Sequence, residues 1–388
     1  MKLQKKTWFT CVLGIVGCLG CSNGAGAPAD GTGGLTATGG TTPSGGSVAS
    51  GGSVASGGKS SEGSGGSTVG AGGGATGGRD DGVGGGDDSG AGGSATGGDS
   101  GSGGGSGGSV ACVPSEDDTT PSRDTGTKVS GTGPHEVVIE TNPDDGIKCG
   151  TIFRPKDLGG GEKYPIFVWG EGGCSQDGLS NRAAMGEIAS WGYFVVADGT
   201  PGGTNACAGG QSGDALLDYV TWATEQNEEP CSDYYQSLDA TKVAADGFSC
   251  GGLMAENVSD DPRFSAIGIT SSGLMGANAQ LYNAIHTPFK IMNGGDSNNG
   301  DDIAYQNGLN DYNAISALGK PIIYFSKTSA GHGGDLGQGR GNFNLVNLAW
   351  LNWQLKGDMG ATGKAFLIGA NCEFCMDGGW DFRSANIE

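Results

Sequence analysis

Positive charge is scarce in this chain. Its 388 residues hold 21 Lys and Arg against 42 Asp and Glu, a formal net charge of −21. Nucleic-acid binding rests on cationic side chains meeting phosphates, so this balance argues against such a partner. The acidity is expected instead to keep an exported protein soluble. Histidine is scarcer still, at three residues, so any chemistry that needs an imidazole has three candidates. The apolar stretch from Thr7 to Leu19 is too short to span a bilayer. What is abundant is glycine, at 83 residues, most of the excess lying before residue 111.

The first residues read as an address. Lys2, Lys5 and Lys6 precede the apolar stretch, which ends in Ile15-Val16-Gly17-Cys18 with Cys21 close behind. A small residue before a Cys at such a place resembles a bacterial lipobox, in which the Cys becomes the lipidated first residue of the mature protein. That resemblance implies lipidation at Cys18, with Cys21 as the alternative. Residues 1–21 are thus expected to be a signal peptide of lipoprotein type on an exported protein. Contact with a membrane is expected only through that anchor.

Residues 22–111 are expected to be a disordered tether. They are mainly Gly, Ser, Ala and Thr, with near-repeats such as Gly45-Gly46-Ser47-Val48-Ala49-Ser50 and Gly51-Gly52-Ser53-Val54-Ala55-Ser56. Too few large apolar side chains are present to offset chain entropy. A Gly/Ser coil of about 90 residues has a root-mean-square span of roughly 50 Å. Matches to G-x-G-x-x-G inside it are compositional, since no strand or βαβ unit surrounds them, and no cofactor is expected.

Residues 112–388 form the expected folded domain, a monomer. Eight Cys lie there, an even number that in an oxidising compartment suggests disulfides: Cys112, Cys149, Cys174, Cys207, Cys231, Cys250, Cys372 and Cys375. Cys372-Glu-Phe-Cys375 has the spacing of a redox motif or half a zinc site. No second Cys or His pair follows it, so a structural bridge is the expectation and no metal is assigned.

Strand and helix patterns alternate along this domain. Val137–Glu140 and Gly150–Phe153 read as early antiparallel strands. Pro165–Trp169, Tyr193–Ala197, Val243–Asp246, Ala266–Ile269, Phe289–Met292 and Pro321–Phe325 read as further strands, several of them continuous apolar runs. Leu216, Tyr219, Val220 and Ala223 recur at helical spacing, and a last helix carries Val346, Ala349, Trp350 and Trp353 on one face. The alternation implies an α/β fold: a mostly parallel central sheet with helices on both faces.

Gly247-Phe248-Ser249-Cys250-Gly251 matches G-x-S-x-G between a strand and a helical stretch. Such a turn lifts a serine hydroxyl above the sheet, and its glycines avoid clashes with neighbouring backbone. Ser249 is therefore the candidate nucleophile. The chain order nucleophile, acid, base excludes His135, which precedes the serine, and His286 comes too early and is assigned to local hydrogen bonding. His332, in a glycine-rich loop after a late strand, is the candidate base. The acid should follow the Phe289 strand, where the loop offers Asp296, Asp301 and Asp302. That loop also invites a calcium reading. The EF-hand pattern fails, with Gly300 in the fifth position and Asn307 in the twelfth, and an irregular site stays open. The oxyanion hole should use the backbone N–H of Cys250 and one near Glu171 in Gly170-Glu171-Gly172-Gly173, with the Glu171 carboxylate turned aside.

Trp169–Cys174, Gly247–Gly252, Asp302–Gly308, Gly331–Gly334 and Trp350–Gly357 together resemble secreted microbial α/β hydrolases, similar to the cutinase, polyester-hydrolase, chlorophyllase and dienelactone-hydrolase branch. The likeness covers roughly residues 145–380. It implies the α/β-hydrolase fold and Asp302 as the acid, matching a Gly-Gly-x-x-Asp-Ile-Ala-Tyr stretch. Extra residues between Gly295 and Asp302 depart from that pattern, as does Glu171, where Asn is usual. With Cys174 and Cys250 both beside the site, a disulfide between them is a further expectation. The expected activity is hydrolysis of small-molecule or polymeric carboxylic esters through an acyl-enzyme. The alternative is a catalytically inactive, lipid-anchored binding protein on the same fold.

Overall fold

The structure is a computed structural model that describes residues 121–203, 207 and 210–388. The expected leader, the lipidation sites Cys18 and Cys21, the tether and Cys112 lie outside the described residues.

In chain order the main elements are β1 (Arg123–Asp124), β2 (Val137–Thr141), β3 (Gly150–Pro155), β4 (Tyr164–Gly170), α1 (Arg182–Ser190), β5 (Phe194–Asp198), α2 (Asp214–Glu228), β6 (Leu238–Gly247) and α3 (Cys250–Asn257). There follow β7 (Phe264–Thr270), α4 (Ala279–Ala284), β8 (Phe289–Gly294), α5 (Tyr305–Ala317), β9 (Ile322–Lys327), α6 (Asn342–Lys356), α7 (Lys364–Leu367), α8 (Glu373–Met376) and β10 (Trp380–Ala385). Among the described residues ten strands make one sheet in the order β1-β2-β3-β5-β4-β6-β7-β8-β9-β10. The run from β5 to β9 is parallel, while β1, β2, β3 and β10 join it antiparallel.

The apolar runs become central strands because both sheet faces are covered. All seven residues of β4 are buried. Its Phe167 and Trp169 face one core with α1 and α6, and its Ile166 and Val168 face the other with α2, α3 and α5. Each such side chain contributes about 1.5–3 kcal/mol through burial. Helix α2 buries Leu216, Tyr219, Val220 and Ala223, the residues its spacing selects.

Helix α6 differs from its expected single apolar face. Besides Val346, Ala349, Trp350 and Trp353 it buries Phe343, Asn347, Leu348, Leu351, Asn352 and Leu355. The C-terminal segment explains this, since Leu367, Phe374 and Trp380 join the same core and cover the helix. No helix among the described residues is long and apolar enough to cross a membrane.

The strand order reverses around β4. The chain moves from β4 outward to β5, then returns across β4 to β6. Open parallel sheets place ligand crevices at such a reversal, beyond the carboxyl ends of the strands. Gly170 pairs with Gly247, so β4 and β6 end side by side.

Candidate active site

Ser249 sits on the turn from β6 to α3 with φ 54° and ψ −114°, a conformation unusual for a non-glycine residue. Three bonds hold it there. Its N–H donates to the Thr270 carbonyl at 2.9 Å, the Phe248 N–H donates to the Gly170 carbonyl at 3.0 Å, and the Ser272 hydroxyl donates to the Ser249 carbonyl at 2.7 Å. A Cβ on Gly251 would run into the Gly170 backbone, and one on Gly247 into the Gly251 carbonyl. The turn can therefore form only with glycine at both places.

His332 lies in the loop after β9. Its Nε2 is 2.9 Å from the Ser249 Oγ and its Nδ1 is 2.8 Å from Asp302 Oδ1. The imidazole is 28% exposed and rests against the Phe248 ring at a centroid distance of 5.0 Å. Asp302 is fully buried and also accepts the N–H groups of Gly294 at 2.7 Å and Ala304 at 2.9 Å. Burial would raise its carboxyl. Hydrogen bonds from His332, Ala304, Ser271 and Gly294 outweigh that and hold it below the ordinary carboxylate range.

The other two carboxylates of the loop go elsewhere. Asp296, the alternative acid, does not reach His332, because it caps the turn Ser297–Asn299 by accepting the Asn298 N–H at 2.8 Å. Asp301 accepts the N–H groups of Ser329 and Gly331, which ties the loop of His332 to that of Asp302. Among the described residues no group of three or more His, Cys, Asp or Glu is arranged to hold a metal.

His286 differs from its expected role. It is exposed and makes no hydrogen bond among the described residues. Its place just after α4 instead puts it near enough to Asp261 to help lower that carboxyl, after the larger effect of Arg263.

Beside the serine opens a cleft of about 220 Å³, lined by Cys250, Leu253, Ser272, Met275, Ile303 and Asn307 among others. Met275 and Ile303 are 78% and 79% exposed, giving the mouth an apolar rim. Cys250 lines the cleft, and Glu171, buried just past the end of β4, has its N–H next to Gly251 in the serine turn. No acceptor among the described residues is found for the backbone N–H of either. The Glu171 carboxylate is turned away, accepting the Asn181 amide group at 2.5 Å and the Asn181 N–H at 3.4 Å. Burial raises that carboxyl to about 7 against the pull of the Asn181 bonds.

Three disulfides have both ends in described residues: Cys149–Cys207, Cys174–Cys250 and Cys372–Cys375. Cys231 is also disulfide-bonded. Cys372 and Cys375 are thus bridged to each other.

One feature was missed by sequence reasoning. Beneath the serine turn Lys290 Nζ lies 2.8 Å from Asp246 Oδ2, both side chains being buried. Asp246 also accepts the Gly247 N–H at 2.7 Å, and Lys290 donates to the Asn347 side-chain oxygen at 2.5 Å. Burial pushes the Asp246 carboxyl up and the Lys290 ammonium down, each opposed by the other's charge. The available signal was a pair of opposite charges set inside otherwise apolar strands.

Comparison with protein-family models finds no match to this chain, and comparison with curated proteins finds none either.

Proposed function

We propose that this protein is a serine carboxylic-ester hydrolase with the α/β-hydrolase fold. The carrying observation is the hydrogen-bonded relay from Asp302 through His332 to Ser249, on a serine with positive φ. The strand order supports the fold assignment. An antiparallel strand, β3, flanks the parallel run, and the three residues follow β6, β8 and β9 in the order nucleophile, acid, base.

With the ring proton on Nδ1, His332 donates to Asp302 and its Nε2 accepts the Ser249 O–H. As Oγ bonds to the ester carbonyl carbon, its proton passes to Nε2. Asp302 stabilises the imidazolium and keeps the ring oriented. The carbonyl oxygen becomes an oxyanion, and the amides of Cys250 and Glu171 are the donors for it. A buried amide without an acceptor is costly, so these two are held ready for an oxygen that arrives with the substrate. His332 then protonates the leaving alcohol, giving an acyl-enzyme, and activates a water that releases the acid. No step calls for a metal or cofactor.

The substrate reading is a small or polymeric ester that presents its acyl or alcohol part to the apolar rim of Met275 and Ile303. Export is part of this proposal, and the disulfides support an oxidising compartment. Anchoring through Cys18 rests on the sequence resemblance alone. The test is hydrolysis of p-nitrophenyl butyrate by wild type and by Ser249→Ala. Turnover by the wild type and none by the variant is expected, and equal rates would refute the proposal.

A further inference from the structure

A covalent bond joins the candidate nucleophile turn to the loop after β4. Cys250 directly follows Ser249, and its Sγ is bonded to that of Cys174. Cys174 closes the short turn Gly172–Cys174, just past Glu171. The crosslink therefore connects the two segments whose amides, Glu171 and Cys250, lack acceptors among the described residues.

Glu171 itself is anchored by burial and by the two bonds its carboxylate accepts from Asn181, but the turn that follows it is thinly held. The turn Gly172–Cys174 contains no buried residue, and one backbone bond, Ser175 N–H to the Gly172 carbonyl at 3.0 Å, closes it. Packing against the serine turn is close at Gly170, which abuts Gly251, and at Gly172, which abuts the Phe248 ring. Beyond Gly172 the backbone enters the left-handed region at Gly173 (φ 68°) and Cys174 (φ 48°). A non-glycine residue keeps such a conformation only when its surroundings impose it. The other two disulfides lie elsewhere: Cys149–Cys207 ties the start of β3 to the loop after β5, and Cys372–Cys375 closes a C-terminal turn.

We propose that the Cys174–Cys250 disulfide is a positioning element of the oxyanion site. It holds the loop Glu171–Cys174 against the serine turn so that the two amides converge on one oxygen. The proposal rests on the reading of Ser249 as nucleophile. Donors aimed at a developing charge act on the transition state more than on the bound ester, so their misalignment shows in kcat rather than KM. Deleting an oxyanion donor costs about 10²–10³ in kcat. Loosening one is expected to cost about tenfold to a hundredfold.

The test compares the full wild-type chain with the Cys174→Ser/Cys250→Ser double variant. The substrate is p-nitrophenyl butyrate, and the probe is an alkyl trifluoromethyl ketone, which adds to serine as an oxyanion. Expected is the fall in kcat given above, with KM within about twofold. The inhibition constant of the ketone should rise by the same factor, in protein whose near-ultraviolet circular dichroism matches wild type. A folded double variant with kcat within about threefold of wild type overturns the proposal. So does a fall in kcat without a matching loss of ketone affinity, which marks general structural damage.

If the double variant does not fold, the wild type is opened with a water-soluble phosphine and followed by mass mapping. Activity must then fall with opening of Cys174–Cys250, not of Cys149–Cys207, and return on reoxidation. Unchanged kcat with that bond open overturns the proposal. A wild type that hydrolyses no ester and takes no fluorophosphonate on Ser249 fails at an earlier point: it removes the nucleophile reading before any cysteine is changed.

Discussion

Replacing Lys290 with Met should strand a carboxylate in the core. Lys290 Nζ stands 2.8 Å from Asp246 Oδ2, and both side chains are buried. At an effective dielectric of about 20, that separation is worth roughly 6 kcal/mol of attraction, part of which offsets the cost of burying the ammonium. The remaining partners of Asp246 are neutral: the Gly247 N–H at 2.7 Å and the Thr270 hydroxyl at 3.3 Å. Breaking a buried pair on one side typically costs about 3–5 kcal/mol, and Lys290→Met is expected to fall in that range. The pH dependence has a definite sign. Without its cation, Asp246 has a folded pKa raised above the unfolded value, so the folded state binds the extra proton. Stability is then retained below about pH 4 and lost as pH rises. Urea denaturation followed by tryptophan fluorescence at pH 5 and pH 8 measures this, with the larger loss expected at pH 8. The Asp246→Asn/Lys290→Met pair removes both charges, keeps an acceptor for Gly247, and should recover most of the loss. A single Lys290→Met variant within about 1 kcal/mol of wild type at pH 8 would refute the reasoning.

Two further outcomes are expected. Asp302→Asn keeps a side chain of the same shape but loses the carboxylate that holds Nδ1–H, so kcat should fall by roughly 10⁴ with the fold intact; circular dichroism beside ester kinetics checks both halves. Glu171 carries a pH-dependent cost of its own. Its carboxyl rises from 4.5 to about 7 through burial, equivalent to about 3 kcal/mol. A raised folded value means that the group is neutral and harmless below pH 4.5, and that stability declines toward pH 7 as it ionises. Glu171→Gln should flatten that decline in melting curves taken between pH 4.5 and 7.5, and an unchanged slope would show that the carboxylate is better solvated than its burial implies.

Some parts of this molecule were legible in the sequence because their signals are local. The continuous apolar run of β4 demands cover on two faces, and Gly247 and Gly251 mark a turn that no larger residue can make. His332 emerged by elimination because only three histidines exist. The acid was harder. Asp296, Asp301 and Asp302 lie within one loop, and only the folded backbone separates a turn cap and a loop clamp from the carboxylate that meets the imidazole. The Asp246–Lys290 pair was illegible for a similar reason. Its members come from β6 and β8, and they meet across Gly268 of β7, where a Cβ would collide with both side chains. The short elements α7, α8 and β10 were also missed, since four-residue helices and a half-exposed edge strand carry too few residues to show a period.

The central claim is that Ser249 is an activated nucleophile, and covalent labelling tests it most directly. Folded wild-type protein is treated with a fluorophosphonate at neutral pH, and the adduct is located by peptide mass mapping. The account predicts one adduct per chain, on Ser249, and none in Ser249→Ala or in heat-unfolded protein. A folded wild type that takes no adduct, or takes it on another residue, would contradict the account and favour a binding protein built on the same fold.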